Sequence, residues 1–117
     1  MIKKSFTDLK QSEQLAEILP LKSADMLYTP LGNDYPWVWH EEVKLLEKNA
    51  TPCWSAAALL DIMPLEVSFA KQADGVGTYY YIASYDAFYG DMHTSRHLNV
   101  VDACVEMIIK LHKFYIL

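Results

Sequence analysis

The chain has 117 residues, of which 52% are hydrophobic and 21% are charged. This length fits one domain with its own core, and the apolar content excludes a disordered chain. The formal net charge of -5 and the scattered lysines and arginines exclude a sequence-independent nucleic-acid binder, which would need a clustered basic face. We therefore expect a single domain over residues 1–117.

The first residues and the two cysteines bear on location. Lys3 and Lys4 are followed by no apolar run, which predicts that no signal peptide is present. No stretch reaches the roughly 18 apolar residues of a membrane span. Cys53 and Cys104 lie in apolar helical patterns, where a thiol is usually buried and reduced unless two helices juxtapose the pair for a disulfide. These features predict a cytoplasmic protein that does not act in the membrane.

The first predicted helix covers residues 8–19. Ser5 and Thr7 are its candidate caps, leucines and isoleucine form an apolar stripe, and Pro20 ends it. From residue 27 to residue 50, aromatic residues are interleaved with proline, glycine and asparagine. This pattern predicts two short extended pieces around a turn, followed by a helical or irregular segment from His40 to Lys48.

The segment Thr51–Pro64 predicts a central buried helix. Thr51 would be its N-cap and Pro52 its first residue, a position where proline gives up only an unpaired N–H. Ser55 and Asp61 are its only polar side chains, and a helix that is apolar nearly all round is usually buried. We expect this helix to be the hub of the core, with Leu60→Ala costing about 2–5 kcal/mol.

A β-hairpin is predicted after the central helix. Alternating apolar residues over 65–70 and the aromatic, β-branched run over 78–85 favour two strands, and Ala73–Gly77 supplies the turn. Residues 86–98 are expected to form a loop with room for another short strand. Helices around an antiparallel hairpin give the α+β class.

The last helix is predicted to begin after Asn99, a good N-cap with Asp102 three residues on. Ile109 and Ile116 lie beside its polar stripe and indicate a contact surface. Its expected core face consists of Val100, Cys104, Met107, Ile108, Leu111 and Tyr115. This amphipathic helix and the central helix would together pack the hairpin.

Three segments carry a resemblance: residues 12–20 followed by 23–26, residues 52–60, and residues 101–112. Together they resemble a family of small uncharacterised proteins encoded in prophages and mobile elements of gut bacteria. That family usually has proline after the final N-cap, where this chain has Val100. The resemblance implies a setting, a mobile genetic element, and brings no activity and no functional residue.

The loop after the hairpin contains the best metal candidates. Asp91, His93 and His97 lie there with Asp86, and the two histidines would share a face if the stretch were helical. Imidazole and carboxylate suit zinc or nickel. Because the spacing matches no defined motif, the alternative is a polar solvated loop, and no metal site or cofactor is assigned.

Cys53 is the candidate nucleophile. In the first turn of the predicted helix, the dipole would favour its thiolate. The alternative is a buried packing thiol at the head of an apolar helix. A carboxylate at Asp61 would mark a site only if it were buried; otherwise it lies where the helix reaches solvent.

The aromatic residues supply the main functional hypothesis. Trp37, Trp39 and the Tyr79-Tyr80-Tyr81 triplet exceed what a small core needs, and Tyr and Trp anchor many protein interfaces. The alternative is a core that uses large side chains. We expect a non-enzymatic interaction protein that binds another protein or itself, and the rival hypotheses are a metal-dependent or thiol enzyme and a small-ligand module. The expected surface contacts are Trp37, Tyr79, Tyr81 and Ile109.

Overall fold

The computed structural model describes residues 4–29, 32–38, 50–87 and 90–117. Within these ranges the chain forms three α-helices, one 3-10 turn at Leu21–Ser23, and two three-stranded antiparallel sheets, which confirms the α+β class. The helices are α1 Leu9–Ala16, α2 Ala56–Ile62 and α3 Val100–Lys113. The strands are β1 Met26–Thr29, β2 Gly32–Val38, β3 Thr51–Cys53, β4 Val67–Ala73, β5 Tyr79–Ala87 and β6 Gly90–His93.

The first sheet has the order β2-β1-β3. β1 and β2 are the two extended pieces predicted from the aromatic and proline pattern, and Leu27 faces Trp37 across them. The segment before α1 lies beside the end of β3, because the amide of Thr7 donates at 2.9 Å to the carbonyl of Trp54, the residue that follows β3. Trp39 and the predicted segment from His40 to Lys48 lie outside the described residues.

The first helix is shorter than predicted and has a different cap. Asp8 caps α1, since its carboxylate accepts from the amide of Gln11 at 2.8 Å while the Gln11 side chain accepts from the amide of Asp8. The expectation of Ser5 or Thr7 as the cap is therefore wrong. Thr7 is buried, and its hydroxyl lies 2.7 Å from that of Ser12.

The predicted start of the central helix is also wrong. Thr51 and Pro52 belong to β3, where Pro52 faces Leu27 of β1. A proline is tolerated on such an edge strand because its missing N–H can face away from the sheet. The N-cap is Ser55, whose hydroxyl accepts from the amide of Ala58 at 3.2 Å and whose own N–H donates to Asp25.

Helix α2 is buried on one side only. Leu59 is fully buried, while Leu60 is 44% exposed and Asp61 lies on the solvent side. The prediction that this helix is the centre of the core is therefore wrong. Because Leu60 is exposed, Leu60→Ala is no longer expected to lower the free energy of unfolding by about 2–5 kcal/mol. A helix of seven residues has about two turns, and in α2 the side that carries Leu59 faces the core.

The second sheet has the order β4-β5-β6, and it confirms the predicted hairpin. The pairing runs without interruption from Val67 opposite Tyr85 to Ala73 opposite Tyr79. Asp74 stabilises the turn by accepting from the amides of residues 76 and 78 at 2.8 and 3.1 Å. Gly75 adopts a φ of 85°, a left-handed conformation in which a side chain would be strained.

Helix α3 is the element that organises the core. Asn99 caps it as predicted, with its side-chain oxygen accepting from the amide of Asp102 at 2.8 Å. The buried face is wider than predicted, and Tyr115 is exposed beyond the end of the helix. One core cluster joins α3 to α1 and α2, and a second joins it to the sheet of β4, β5 and β6. The fully or almost fully buried residues of α3 are Val101, Ala103, Cys104, Val105, Met107, Ile108 and Leu111.

Candidate functional site

A cavity of about 390 Å³ lies between the turn end of the β4–β5 hairpin and the start of α3. Its volume falls near the lower end of the range of about 300–1,000 Å³ that ligand pockets occupy. The described residues that line it include Lys4, Lys71, Thr78, Tyr79, Tyr81 and Leu98. Two of the predicted contact residues, Tyr79 and Tyr81, are therefore brought together here.

Strand register places the aromatic wall. Lys71 pairs with Tyr81 and Ala73 pairs with Tyr79, so these side chains share one face of the sheet. The ammonium of Lys71 lies 4.7 Å from the ring centroid of Tyr79 and 5.8 Å from that of Tyr81. Such cation–π contacts favour one orientation of the exposed Tyr79 ring and of the half-buried Tyr81 ring.

The opposite wall is brought up by a backbone bridge. The amide of Tyr81 donates to the carbonyl of His97 at 2.7 Å, and the amide of His97 donates back at 3.0 Å. This pair holds the residues that enter α3 beside β5, and it brings Leu98 and Asn99 to the cavity. Tyr80 points to the other side of the sheet, where Arg96 lies 5.7 Å from its ring centroid.

The charges at the cavity are unevenly distributed. Lys71 and Lys4 line it, whereas no carboxylate is found among the described lining residues. The Lys4 ammonium points towards Asp102 and Asp8, at 2.8 and 3.1 Å. Burial lowers the pKa of Lys4, but the hydrogen bonds to these two carboxylates outweigh it and raise the pKa overall. Lys4 therefore stays protonated, and its positive charge is already balanced by the two carboxylates.

The other two predicted contacts lie elsewhere. Trp37 is exposed on β2 of the first sheet. Ile109 is half-buried against the core and lines a shallow groove between α1 and α3. Neither residue is among those that line the cavity, so the four predicted contacts do not form one surface.

The proposed metal ligands have separate partners. Residues 90–93 form a strand, so the condition under which His93 and His97 would share a helical face is not met. His93 lies 2.9 Å from the hydroxyl of Ser84 and 3.5 Å from the carboxylate of Asp91, while His97 lies 2.8 Å from Glu106. Among the residues that the structure describes, no three side chains of the ligating types come together.

Both thiols are buried and free. Cys53 lies on β3 and not in a helical first turn, and its sulfur is 3.4 Å from the carbonyl oxygen of Thr7. Burial raises the pKa of Cys53 despite a hydrogen bond from the Thr7 hydroxyl, and burial alone raises the pKa of Cys104 to about 12. These environments favour neutral thiols that pack, which leaves the nucleophile hypothesis without a thiolate.

Sequence reasoning missed Lys71, Lys4 and Leu98. The hairpin register could have identified Lys71, because counting outward from the turn pairs it with Tyr81. Lys4 and Leu98 have no such signal, since they reach the cavity only through long-range packing.

No protein-family model matches the chain, and neither a curated protein nor a solved structure does. The resemblance to proteins of prophages and mobile elements therefore stays a prediction. In the described part of the chain, no helix is long and apolar enough to cross a membrane.

Proposed function

We propose that the protein is a non-enzymatic interaction protein of a mobile genetic element, and that it binds another protein or itself through the cavity. One observation carries the proposal: Tyr79 is 48% exposed at the cavity while Lys71 lies over its ring. A large aromatic side chain that is held in place but uncovered resembles an interface anchor. Because the ring is already oriented, little conformational entropy is lost when a partner covers it.

The cavity chemistry favours binding over catalysis. Acid–base or nucleophilic catalysis needs a titratable or nucleophilic group next to the reacting atoms. The described lining residues include lysine, tyrosine, serine and threonine side chains, but no histidine, cysteine, aspartate or glutamate to act as the base that would activate a hydroxyl. The rival metal and thiol hypotheses rest on groups that lie outside the cavity, at the His93/His97 segment and at Cys53.

The cytoplasm is the compartment that we propose. Both cysteines are free and buried, which is typical of proteins from reducing compartments. The mobile-element setting rests on the resemblance alone, and Trp37 and Ile109 remain proposed secondary contacts.

Partner capture with two matched variants tests the proposal. Tyr79→Ser removes the exposed ring at the cavity, whereas Tyr115→Ser removes a more exposed ring outside it. A protein captured from a bacterial lysate should be purified and its affinity for each variant measured by calorimetry. We expect binding to weaken about tenfold or more with Tyr79→Ser only.

Light scattering on the same samples covers self-association. A dimer that Tyr79→Ser dissociates would support binding of a second copy. If every captured protein binds both variants equally and self-association is insensitive to Tyr79, the proposed function is wrong.

A further inference from the structure

We infer that the cavity takes an acidic segment of a partner protein, with a carboxylate on the ammonium of Lys71 and a neighbouring apolar side chain against Leu98. This inference rests on the proposed function, since it specifies the chemistry of the partner that covers Tyr79.

The charge at the cavity is opposite in sign to the net charge of the chain. The chain carries 15 acidic and 10 basic residues, yet the described residues that line the cavity include two lysines and no carboxylate. The hydroxyls of Thr78, Tyr79 and Tyr81 in the same lining can donate hydrogen bonds. The ammonium of Lys71 and these hydroxyls can all donate to a group that only accepts, and an ionised carboxylate is such a group.

The two lysines of the cavity differ in the partners that they already have. Lys4 already has two carboxylates within 3.1 Å, so a ligand carboxylate would gain little from it. Lys71 is exposed, and no ion pair is found for it among the described residues. Its contacts are with two ring faces, which attract the charge but leave N–H groups free to donate.

Part of the cavity lining is apolar and exposed. Leu98 is 45% exposed at the edge of the cavity, and the half-buried Val100 follows it in the lining. A partner with carboxylates alone would leave this surface in water. An apolar side chain beside the carboxylate would cover Leu98 and would remove water from around the ion pair, which strengthens it.

The same distribution gives selectivity. The net charge of -5 disfavours nonspecific binding of an acidic segment to the surface as a whole, whereas Lys71 attracts its carboxylates at the cavity. A nucleic acid is disfavoured, because its phosphates would need several unneutralised cations in a row. Among the described lining residues, Lys71 is the one cation without an ion-pair partner.

A labelled peptide of repeated Gly-Glu-Leu units is a suitable probe, with a Gly-Gln-Leu peptide as its neutral match. Fluorescence anisotropy would measure the affinity for wild type, Lys71→Gln, Lys71→Arg and Lys10→Gln, the last removing an exposed lysine of α1 outside the cavity. We expect Lys71→Gln to weaken binding of the acidic peptide about threefold to tenfold. Lys71→Arg and Lys10→Gln should bind it as wild type does, and the neutral peptide should bind more weakly.

Any of four results would overturn the inference. Three of them are equal binding of both peptides, equal loss with Lys10→Gln and Lys71→Gln, and tighter binding of an oligothymidylate than of the acidic peptide. The fourth is that neither peptide binds. In each case a partner that depends on Tyr79 but not on Tyr115 would leave the proposed function intact.

Discussion

The ammonium of Lys4 lies 2.8 Å from the carboxylate of Asp102, across 98 positions of sequence. The same carboxylate accepts from the side chains of Gln11 at 2.7 Å and Asn99 at 2.8 Å. One side chain in the first turn of α3 therefore connects the segment before α1, α1 itself and the cap of α3. This network holds Lys4 in the cavity wall, and the carboxylate of Asp102 balances its positive charge.

The network predicts sensitivity to acid. Burial raises the pKa of Asp102, but the hydrogen bonds from Lys4, Gln11 and Asn99 outweigh it, and the pKa is lowered overall. A carboxyl whose pKa is lower in the folded than in the unfolded state adds stability above its unfolded pKa of about 3.9, and this stability is lost as the pH falls through the folded value. We expect the free energy of unfolding to decrease below about pH 4.

Asp102→Asn tests the source of that dependence. It should lower the free energy of unfolding at neutral pH by about 1–3 kcal/mol, because it removes a charged acceptor from several donors. It should also flatten the acid dependence in urea titrations. Asp61→Asn, on the solvent side of α2, is the control and should change little. An unchanged acid profile in Asp102→Asn would assign the effect to other carboxyls.

Two adjacent leucines of α2 should differ widely. Leu59 is fully buried in the cluster with Trp54 and Ile108, whereas Leu60 is exposed. We expect Leu59→Ala to cost about 2–5 kcal/mol and Leu60→Ala less than about 1 kcal/mol. Urea unfolding of both variants measures this difference. Equal costs would mean that α2 packs on a different face.

Tyr115 lies just beyond the C-cap of α3, in a backbone conformation that favours glycine. Its φ is 61°, and the amides of Ile116 and Tyr115 donate to the carbonyls of Leu111 and His112, a Schellman motif. Because a side chain in the left-handed region is strained and this one is 97% exposed, Tyr115→Gly should stabilise the fold by about 1 kcal/mol.

Phe114→Gly is the matched control for that prediction. Phe114 is also exposed but has a φ of -100°, so glycine there should give no such gain. Thermal unfolding of the two variants compares them. Loss of stability in Tyr115→Gly would show that the ring makes contacts that outweigh the strain.

The thiols should be inert in the folded protein. Burial raises the pKa values of Cys53 and Cys104, so both remain protonated at neutral pH. We expect a thiol reagent such as dithionitrobenzoate to label both only when urea unfolds the chain. Rapid labelling of Cys53 in the native protein would revive the thiol-enzyme hypothesis.

The local elements could be predicted from the sequence. The β4–β5 hairpin follows from alternation, aromatic content and an Asp74-Gly75 turn, all of which act between near neighbours. The cap of α3 follows from Asn99 in the same way. Alternation also predicts that Tyr80 points to the face opposite Tyr79 and Tyr81, but it does not predict that Tyr79 is exposed while Tyr81, on the same face, packs against the core.

Where the local sequence is compatible with two different secondary structures, tertiary contacts decided which of them forms. Thr51 and Pro52 suit both a helix start and an edge strand, and pairing with β1 selected the strand. As a result, Cys53 lies in a strand and not at a helix N-terminus, and α2 begins later than predicted. The helix that contacts both core clusters is α3. The cavity depends on packing in the same way, because Lys4 and Leu98 reach the hairpin only through the Asp102 network and the Tyr81–His97 bridge. Local sequence determines which residues can cap, turn or pair, but long-range contacts choose among those options.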